Sequence, residues 1–178
     1  MTLRSRIIGI GSFLPERIST NDDMAKIVDT SDEWIVERTG IRVRHFADEN
    51  MSSSVMAVKA AQQALDNAGV AGDDLDLIVL ATVTPDKTFP ATAVYVQAAL
   101  GMKHGCAFDI VAACSGFLYA LRMADNMIRL GQVKTALVVG VETLSKITDF
   151  KDRNTCVLFG DGAGCVVLRA EESKGTPA

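Results

Sequence analysis

Histidine is scarce in this sequence, with two among 178 residues, and its four cysteines include no CxxC pair. Structural metal sites draw on clustered Cys and His ligands, so we expect no metal site. No apolar run approaches the ~18 residues that cross a membrane. The first apolar patch is too short and too interrupted by glycine for a signal peptide. We therefore expect no membrane span, and reduced thiols in the cytoplasm.

Positive charge is not in excess either, because the net charge is −4 at neutral pH. The chain therefore has no overall basic field that would hold nucleic acid or an anionic membrane. Aromatic residues make up only 6% of the chain, and the hydrophobic content is 48%. Much of that apolar content is alanine and valine, which favours close packing of helices on a buried sheet. The length allows one domain with a sizeable core or two small ones.

Short apolar runs alternate along the chain with segments of helical period. The apolar runs predict strands at Arg6–Gly11, Leu77–Val83, Ala107–Ala113, Thr135–Val141 and Cys165–Arg169. The periodic segments predict helices at Thr20–Val28, Thr30–Gly40, Ser52–Ala68, Ala91–Leu100 and from Cys114 to Arg129. This alternation predicts an α/β fold, with a largely parallel sheet covered by helices on both faces.

Two other segments bear on the organisation of the chain. Gly9 and Gly11 do not open a dinucleotide fingerprint, because Phe13, Leu14 and Pro15 follow where a third glycine should start a helix. The polar tail 171–178 predicts the start of a linker, so we expect the folded unit to span residues 1–170.

Cys114 is the candidate nucleophile, since it lies where a predicted strand gives way to a helix among small residues. A thiol at the first turn of a helix is close to unpaired N–H groups and to the positive end of the helix dipole. Both favour the thiolate, which is the nucleophilic form and suits covalent acyl chemistry. The alternative is a buried cysteine that packs as a small hydrophobic residue.

Four motifs together resemble one family. They are IIGIGSFLPE (7–16), DTSDEWIVERTGIRVRH (29–45), DIVAACSGFLYAL (109–121) and FGDGAG (159–164). The chain resembles β-ketoacyl-acyl-carrier-protein synthase III, of the thiolase-like superfamily. The resemblance implies a mixed, mostly parallel sheet that forms the first of two repeated halves. It also implies loading of a short acyl group from acyl-CoA onto a cysteine, then condensation with malonyl-acyl-carrier protein and loss of CO2. Such an enzyme starts fatty acid synthesis as a homodimer without a cofactor beyond its coenzyme A thioester substrate.

The resemblance also implies roles for particular residues. Cys114 matches the nucleophile, and its backbone N–H would face the developing oxyanion. Trp34 matches the side chain that stacks on adenine, with Arg153 on the other side of the base. The remaining matches are coenzyme A contacts at Thr30, Arg38 and Thr39 and acyl-pocket positions at Phe89, Leu144 and Phe159. Phe89 would reach the partner's pocket across a dimer interface. Asn154 departs from the family pattern, in which a glycine is often found.

Other interpretations remain open for these residues. Trp34 packs on the core in one of them, and Arg38, Arg42 and Arg44 form a solvated face. The glycines of FGDGAG are structural in another. We expect Cys106, Cys156 and Cys165 to be buried, inert thiols. His45 and His104 do not fall where the family places its catalytic histidine.

The family's second catalytic step needs a histidine and an asparagine, which the resemblance places in a second half of the enzyme, absent from this chain. That half is therefore an expected partner of the present one. Two alternatives to the main hypothesis remain: another thiolase-like enzyme with a coenzyme A acceptor, such as a thiolase or a hydroxymethylglutaryl-CoA synthase, and a non-catalytic dimerisation module. The preferred acyl primer stays open.

Overall fold

The computed structural model describes residues 2–173. The strands are β1 (Thr2–Phe13), β2 (Arg17–Thr20), β3 (Val43–Phe46), β4 (Leu77–Ala81), β5 (Cys106–Ile110), β6 (Thr135–Thr143) and β7 (Asp161–Ser173). The α-helices are α1 (Asn21–Ala25), α2 (Asp32–Thr39), α3 (Ser53–Ala68), α4 (Thr92–Ala99), α5 (Gly116–Arg129) and α6 (Arg153–Cys156). Short 3-10 turns lie at Gly72–Asp74, Ala113–Ser115 and Leu144–Lys146.

The central sheet has five strands in the order β1-β7-β6-β4-β5. β4 pairs in parallel with both β5 and β6, whereas β7 is antiparallel to both β6 and β1. Four of the five strands therefore run in one direction and β7 runs in the other. This arrangement confirms the mixed, mostly parallel sheet. It also places the carboxyl ends of β4, β5 and β6 at one edge, where parallel sheets usually bind ligands.

Helix α3 covers one face of the sheet. Its buried alanines, with Met56 and Leu65, join a core that includes Leu80, Val139 and Val167. The helix lies very close to β1 at Gly9 and Gly11. A Cβ at Gly11 would lie 2.1 Å from the carbonyl oxygen of Ala60, and a Cβ at Gly9 would lie 2.2 Å from that of Ala64. These glycines therefore allow close helix–sheet packing rather than phosphate binding.

Helix α5 covers the opposite face. Ala120, Ala124 and Ile128 are fully buried and pack on a core that contains Val79 and Val138. The far side of α5 exposes apolar side chains, with Leu118 63% and Tyr119 57% accessible. Helices thus cover both faces of the sheet, as predicted, and α5 presents a second apolar surface.

A smaller unit is built from β2, β3, α1, α2 and α6 around Met24, Ile35 and Phe46. Arg44 on β3 is only 5% exposed. Its Nη2 donates to Asn21 Oδ1 at 2.9 Å and to Val157 O at 3.0 Å. Burial lowers the pKa of this guanidinium from its usual range. The interpretation of Arg44 as part of a solvated face is therefore wrong, because the side chain ties β3 to α1 and to the end of α6.

Several predicted boundaries differ from the structure. The strand β7 starts at Asp161 and includes most of the FGDGAG motif, because Asp161 pairs with Thr143 of β6. At its other end β7 continues to Ser173, so residues 171–173 of the predicted linker belong to the sheet. The rest of that linker, 174–178, lies outside the described residues. The sequence pattern missed α6 and the β2–β3 pair.

Candidate active site

Cys114 lies on a sharp turn between β5 and α5. It is the middle residue of the 3-10 turn Ala113–Ser115, and Ser115 is the N-cap of α5. Cys114 is therefore in the turn that precedes the helix, not in the first helical turn that the sequence predicted. Ala113 has φ of +44°, a left-handed conformation that is uncommon for alanine. Such outliers persist where the surrounding structure holds them, and they concentrate at functional sites. The turn leaves Cys114 exposed.

Small residues let this turn sit directly on the sheet. A Cβ at Gly116 would lie 3.0 Å from the Cβ of Ala81, at the end of β4. Phe117 packs over Gly140 of β6, where an added Cβ would lie 3.3 Å from the Phe117 ring. The turn is therefore fixed against the carboxyl ends of both parallel strands.

A cavity of about 160 Å³ opens beside Cys114. It is lined by Ala81, Ala113, Cys114, Phe117, Gly140, Val141, Glu142 and Gly162. The walls are mainly apolar and come from β4, β6, β7, the turn and the start of α5. Larger grooves of about 410 Å³ lie elsewhere, one of them between β1 and α5. We take the smaller cavity as the site because it contains the exposed thiol, and a small volume beside a nucleophile suits a short acyl group.

Trp34 and two arginines form a second cluster. The guanidinium carbon of Arg38 lies 4.5 Å from the Trp34 ring centroid, and that of Arg153 lies 4.4 Å from it. Arg38 also donates from Nη1 to the carbonyl oxygen of Trp34 at 3.3 Å. Trp34 is half-buried and packs against the core of the smaller unit. The core interpretation therefore holds for this side chain, and stacking of Trp34 on adenine stays a prediction.

This cluster differs from the predicted arrangement in one respect. The resemblance implied Trp34 and Arg153 on opposite sides of an adenine, whereas Arg153 here lies directly against the indole. Stacked groups are separated by ~3.5 Å, so a base between them would require about twice the spacing of a direct contact. Arg153 would have to move away before a base could enter.

Thr39 is the last residue of α2, and Thr30 precedes Ser31, the N-cap of that helix. The Thr39 hydroxyl donates to Ile35 O at 2.7 Å and accepts from Ile41 N at 3.0 Å, so it helps to end the helix. The Thr30 hydroxyl is buried and has no hydrogen-bond partner among residues 2–173. Both are near Trp34 in sequence, and their roles as ligand contacts stay predictions.

The three predicted acyl-pocket residues do not line the cavity beside Cys114. Phe89 is 86% exposed in the loop between β4 and α4. Phe159 is 39% exposed just before β7, and Leu144 starts the 3-10 turn after β6. Their role in an acyl pocket remains a prediction.

The other cysteines are of two kinds. Cys156 and Cys165 are buried, and desolvation raises the pKa of each thiol, to about 12 for Cys165. Both fit the expected inert thiols. Cys106 is exposed at the start of the edge strand β5, so its predicted burial is wrong.

The two histidines lie away from the cavity. His45 Nδ1 lies 2.6 Å from Pro15 O. His104 is exposed beside Asp73 and Asp76, with N–O distances of 3.8 and 3.6 Å. Within the described part of the chain there is no group of three or more His, Cys, Asp or Glu side chains that could hold a metal ion. No helix among these residues is both long enough and apolar enough to cross a membrane.

The sequence analysis missed two carboxylates at this edge of the sheet. Glu142 lines the cavity, and Asp161 accepts hydrogen bonds from the backbone N–H groups of Ala47 and Ser145. Glu142 lies near the end of β6 and Asp161 starts β7. A charged residue directly after the predicted apolar run Thr135–Val141 was a usable signal at Glu142.

Comparisons with known proteins agree with this geometry. Residues 108–177 match the family model for 3-oxoacyl-[acyl-carrier-protein (ACP)] synthase III. The β-ketoacyl-[acyl-carrier-protein] synthase III of Rhodospirillum centenum is 62% identical over 176 residues, which are 99% of this chain and 54% of that protein. The corresponding protein of Paramagnetospirillum magneticum is 61% identical over 178 residues, or 100% of this chain and 55% of that protein.

Solved structures show the same similarity. The 3-oxoacyl-[acyl-carrier-protein] synthase III of Aquifex aeolicus VF5 has a TM-score of 0.93 and 55% identity, over 96% of this chain and 55% of its own. A priming β-ketosynthase from the R1128 polyketide biosynthetic pathway has a TM-score of 0.94 and 37% identity, over 98% of this chain and 52% of its own.

The mixed sheet, with an exposed cysteine on the turn after a parallel strand, defines a thiolase-like protein. The chain spans about half the length of the curated relatives that it matches. It belongs to the β-ketoacyl-acyl-carrier-protein synthase III family.

Proposed function

We propose that the protein takes a short acyl group from acyl-CoA onto Cys114 and condenses it with malonyl-acyl-carrier protein. The observation that carries this proposal is the exposed thiol of Cys114 on a left-handed turn, beside a small, mainly apolar cavity. The close relatives, named for this synthase, support it.

In the first step the Cys114 thiolate attacks the carbonyl carbon of the acyl-CoA thioester. A new C–S bond forms, the bond to the coenzyme A sulfur breaks, and the released thiolate of coenzyme A takes up a proton. The backbone N–H of Cys114 is a suitable donor to the oxyanion that develops, because it belongs to the turn that precedes α5.

In the second step malonyl-carrier protein loses CO2, and the electron pair of the broken C–C bond attacks the acyl carbon on Cys114. A C–C bond forms and the Cys114 thiolate leaves. The resemblance implies that a histidine and an asparagine stabilise the carbanion, and both would come from outside this chain. The chain's own residues need no metal or redox cofactor for either step.

Coenzyme A would bind over the Trp34 cluster. Trp34 offers a half-buried aromatic face, and Arg38 and Arg153 are cations suited to stacking and to phosphate. Thr30, whose buried hydroxyl has no partner in the described residues, and Thr39 complete this surface. Phe89, Leu144 and Phe159 would form the wider acyl pocket once the other parts of the enzyme are in place.

Two surfaces suit the expected partners. The face of β1 and α5 exposes Ile7, Ile10 and Leu118, at 49%, 62% and 63%, and would pack on the second half of the enzyme. The free edge of β5, with the exposed Val111 directly after it, would form a homodimer, and the exposed Phe89 would reach the partner across it. We place the enzyme in the cytoplasm, where acyl-CoA and carrier protein are available.

Product analysis tests this function. The full-length protein with acetyl-CoA should form a β-ketoacyl product on carrier protein when malonyl-carrier protein is the second substrate, and Cys114→Ala should form none. A product only with a coenzyme A acceptor would indicate a different thiolase-like enzyme. A folded protein that forms neither product would indicate a non-catalytic module.

A further inference from the structure

Glu142 is the acidic side chain in the lining of the Cys114 cavity, and neither step above uses it. It is half-buried near the end of β6, opposite the segment that follows β4. None of the ion pairs in the described part of the chain includes Glu142. The partners of the Glu142 carboxylate are therefore uncharged hydrogen-bond donors.

The Glu142 carboxylate is bound by the segment Thr82–Thr84. Oε1 accepts from the backbone N–H of Val83 at 2.9 Å. Oε2 accepts from the hydroxyls of Thr84 at 2.6 Å and Thr82 at 3.3 Å. Hydrogen bonds to a charged acceptor are shorter and stronger than neutral ones. One side chain thus fixes three consecutive residues of the loop that starts at the carboxyl end of β4.

This segment is held on its other sides as well. The Thr84 hydroxyl accepts from Thr143 N at 2.8 Å, and Ser53 Oγ donates to Thr84 O at 2.7 Å. Thr82 N donates to Ile110 O at 3.2 Å, and Ile110 is the last residue of the strand that leads to Cys114. The hydrogen bonds therefore run from Glu142 through the segment to the strand below the nucleophile.

We propose that Glu142 is a positioning residue. By holding the segment Thr82–Thr84, it sets the size of the cavity beside Cys114 and the distance between the cavity wall and the thiol. The proposal rests on the proposed function for the identity of the acyl group. Without the carboxylate, the Val83 N–H and two buried hydroxyls lose their acceptor, and the segment has to shift to find others. Ala81, directly before this segment, is part of the cavity lining. A shifted segment therefore moves this wall and widens the cavity, so a short group is held less well and a longer one is admitted.

Asp76 provides a matched control. Its Oδ2 accepts from the backbone N–H groups of Lys134 and Thr135, at 2.8 and 2.9 Å. It therefore joins the same strand pair, β4 and β6, at the end of the sheet far from Cys114. Asp76→Ala removes comparable carboxylate hydrogen bonds without touching the cavity.

The test measures alkylation of Cys114 in the full-length protein by iodoacetamide and by N-hexyl iodoacetamide, with peptide mapping. This readout does not depend on acyl transfer, so it separates a failure of the proposal from a failure of the proposed function. The variants are Glu142→Ala, Glu142→Asp, Glu142→Gln and Asp76→Ala. Loading of acetyl-CoA and hexanoyl-CoA is measured in parallel.

We expect Glu142→Ala to raise the rate ratio of long to short reagent about tenfold, the low end of the discrimination that one methylene group makes in an apolar pocket. Glu142→Asp, whose shorter side chain cannot reach the whole segment, should shift the ratio in the same direction but less than Glu142→Ala does. Glu142→Gln keeps one acceptor oxygen and should restore most of the wild-type ratio. The proposal is overturned if Glu142→Asp and Glu142→Ala leave the ratio within twofold of wild type, or if Asp76→Ala changes it as much as they do.

Discussion

The guanidinium carbon of Arg153 lies 4.4 Å from the centroid of the Trp34 ring, so a cation covers the aromatic face proposed to receive adenine. The contact joins α6, a helix of four residues, to α2. Asp152 caps α6 through hydrogen bonds to Asn154 N and to the Thr155 hydroxyl, at 3.0 and 2.6 Å. The position of Arg153 thus depends on a very short element with a single side-chain cap.

Replacing Arg153 should weaken coenzyme A binding without impairing the chemistry at Cys114. Once adenine has displaced Arg153 from Trp34, the guanidinium can stack on the other side of the base, and a cation–π contact of this kind contributes about 0.5–2 kcal/mol. Losing that contact in Arg153→Ala should raise the KM for acyl-CoA by about two- to thirtyfold, with kcat nearly unchanged. Arg153→Lys keeps the charge but not the planar group, so its KM for acyl-CoA should lie between those of the wild type and Arg153→Ala. Steady-state kinetics of the full-length protein measure both constants, and a fall in kcat at constant KM would contradict this role.

The Asp152 cap should make the contact between Trp34 and Arg153 sensitive to acid. Hydrogen bonds from Thr155 and Asn154 hold the pKa of Asp152 below its usual range. A lowered folded pKa means that this stabilisation is present above the ordinary carboxyl range and is lost as pH falls through the folded value. Trp34 is the single tryptophan of this chain. We expect its fluorescence to change on acidification before global unfolding.

Two variants check that assignment. Asp152→Asn keeps a capping oxygen that does not titrate, so the Trp34 fluorescence of this variant should depend little on pH. Asp152→Ala lacks the cap, so its Trp34 fluorescence at neutral pH should already resemble that of the acidified wild type. An unchanged acid response in Asp152→Asn would show that another group is responsible.

The thiols should differ in reactivity. Iodoacetamide at neutral pH should label Cys114 rapidly and leave Cys156 and Cys165 unlabelled until the protein is denatured, because both are buried with a raised thiol pKa. Cys106 is exposed on the edge strand that the proposed dimer would cover, so its labelling should fall as dimer forms. Peptide mapping at several protein concentrations measures all four, and rapid labelling of Cys165 would contradict the core described above.

Gly11 should tolerate no side chain. An added Cβ would lie 2.1 Å from Ala60 O, so Gly11→Ala must push α3 away from β1 and should lower the free energy of unfolding by about 1–3 kcal/mol. Gly164 of β7 is the matched control, because nothing lies within 4 Å of its added Cβ. Denaturant unfolding of both variants gives the comparison, and equal destabilisation would show that close packing at Gly11 is not the cause.

Local patterns predicted the helices α3 and α5 and the strand β4 well, whereas the longest strands, β1 and β7, extend far beyond the predicted runs Arg6–Gly11 and Cys165–Arg169. Helix α3 starts and ends within one residue of its expected span, because its apolar positions are periodic and Gly69 caps it. Strand β4 was recognised as an apolar run buried on both faces. The turn at Cys114 was also predicted closely, because an apolar run and a segment of clear helical period meet there.

Elements and contacts that depend on distant residues were not predictable in this way. β2, β3 and α6 have four residues each and are stabilised mainly by packing against one another, so they carry little local signal. Arg44 looked like a solvated charge because its partners, Asn21 and Val157, are far away in sequence. The same applies to Glu142, whose binding partners lie about sixty residues earlier in the chain.

The most direct test of the account is the site of acylation. Full-length protein mixed with acetyl-CoA alone, then digested and mapped by mass spectrometry, should carry one acetyl group on the peptide that contains Cys114, and Cys114→Ala should carry none. Acetylation that persists in the Cys114→Ala protein, or its absence from Cys114 in the folded wild type, would contradict the account.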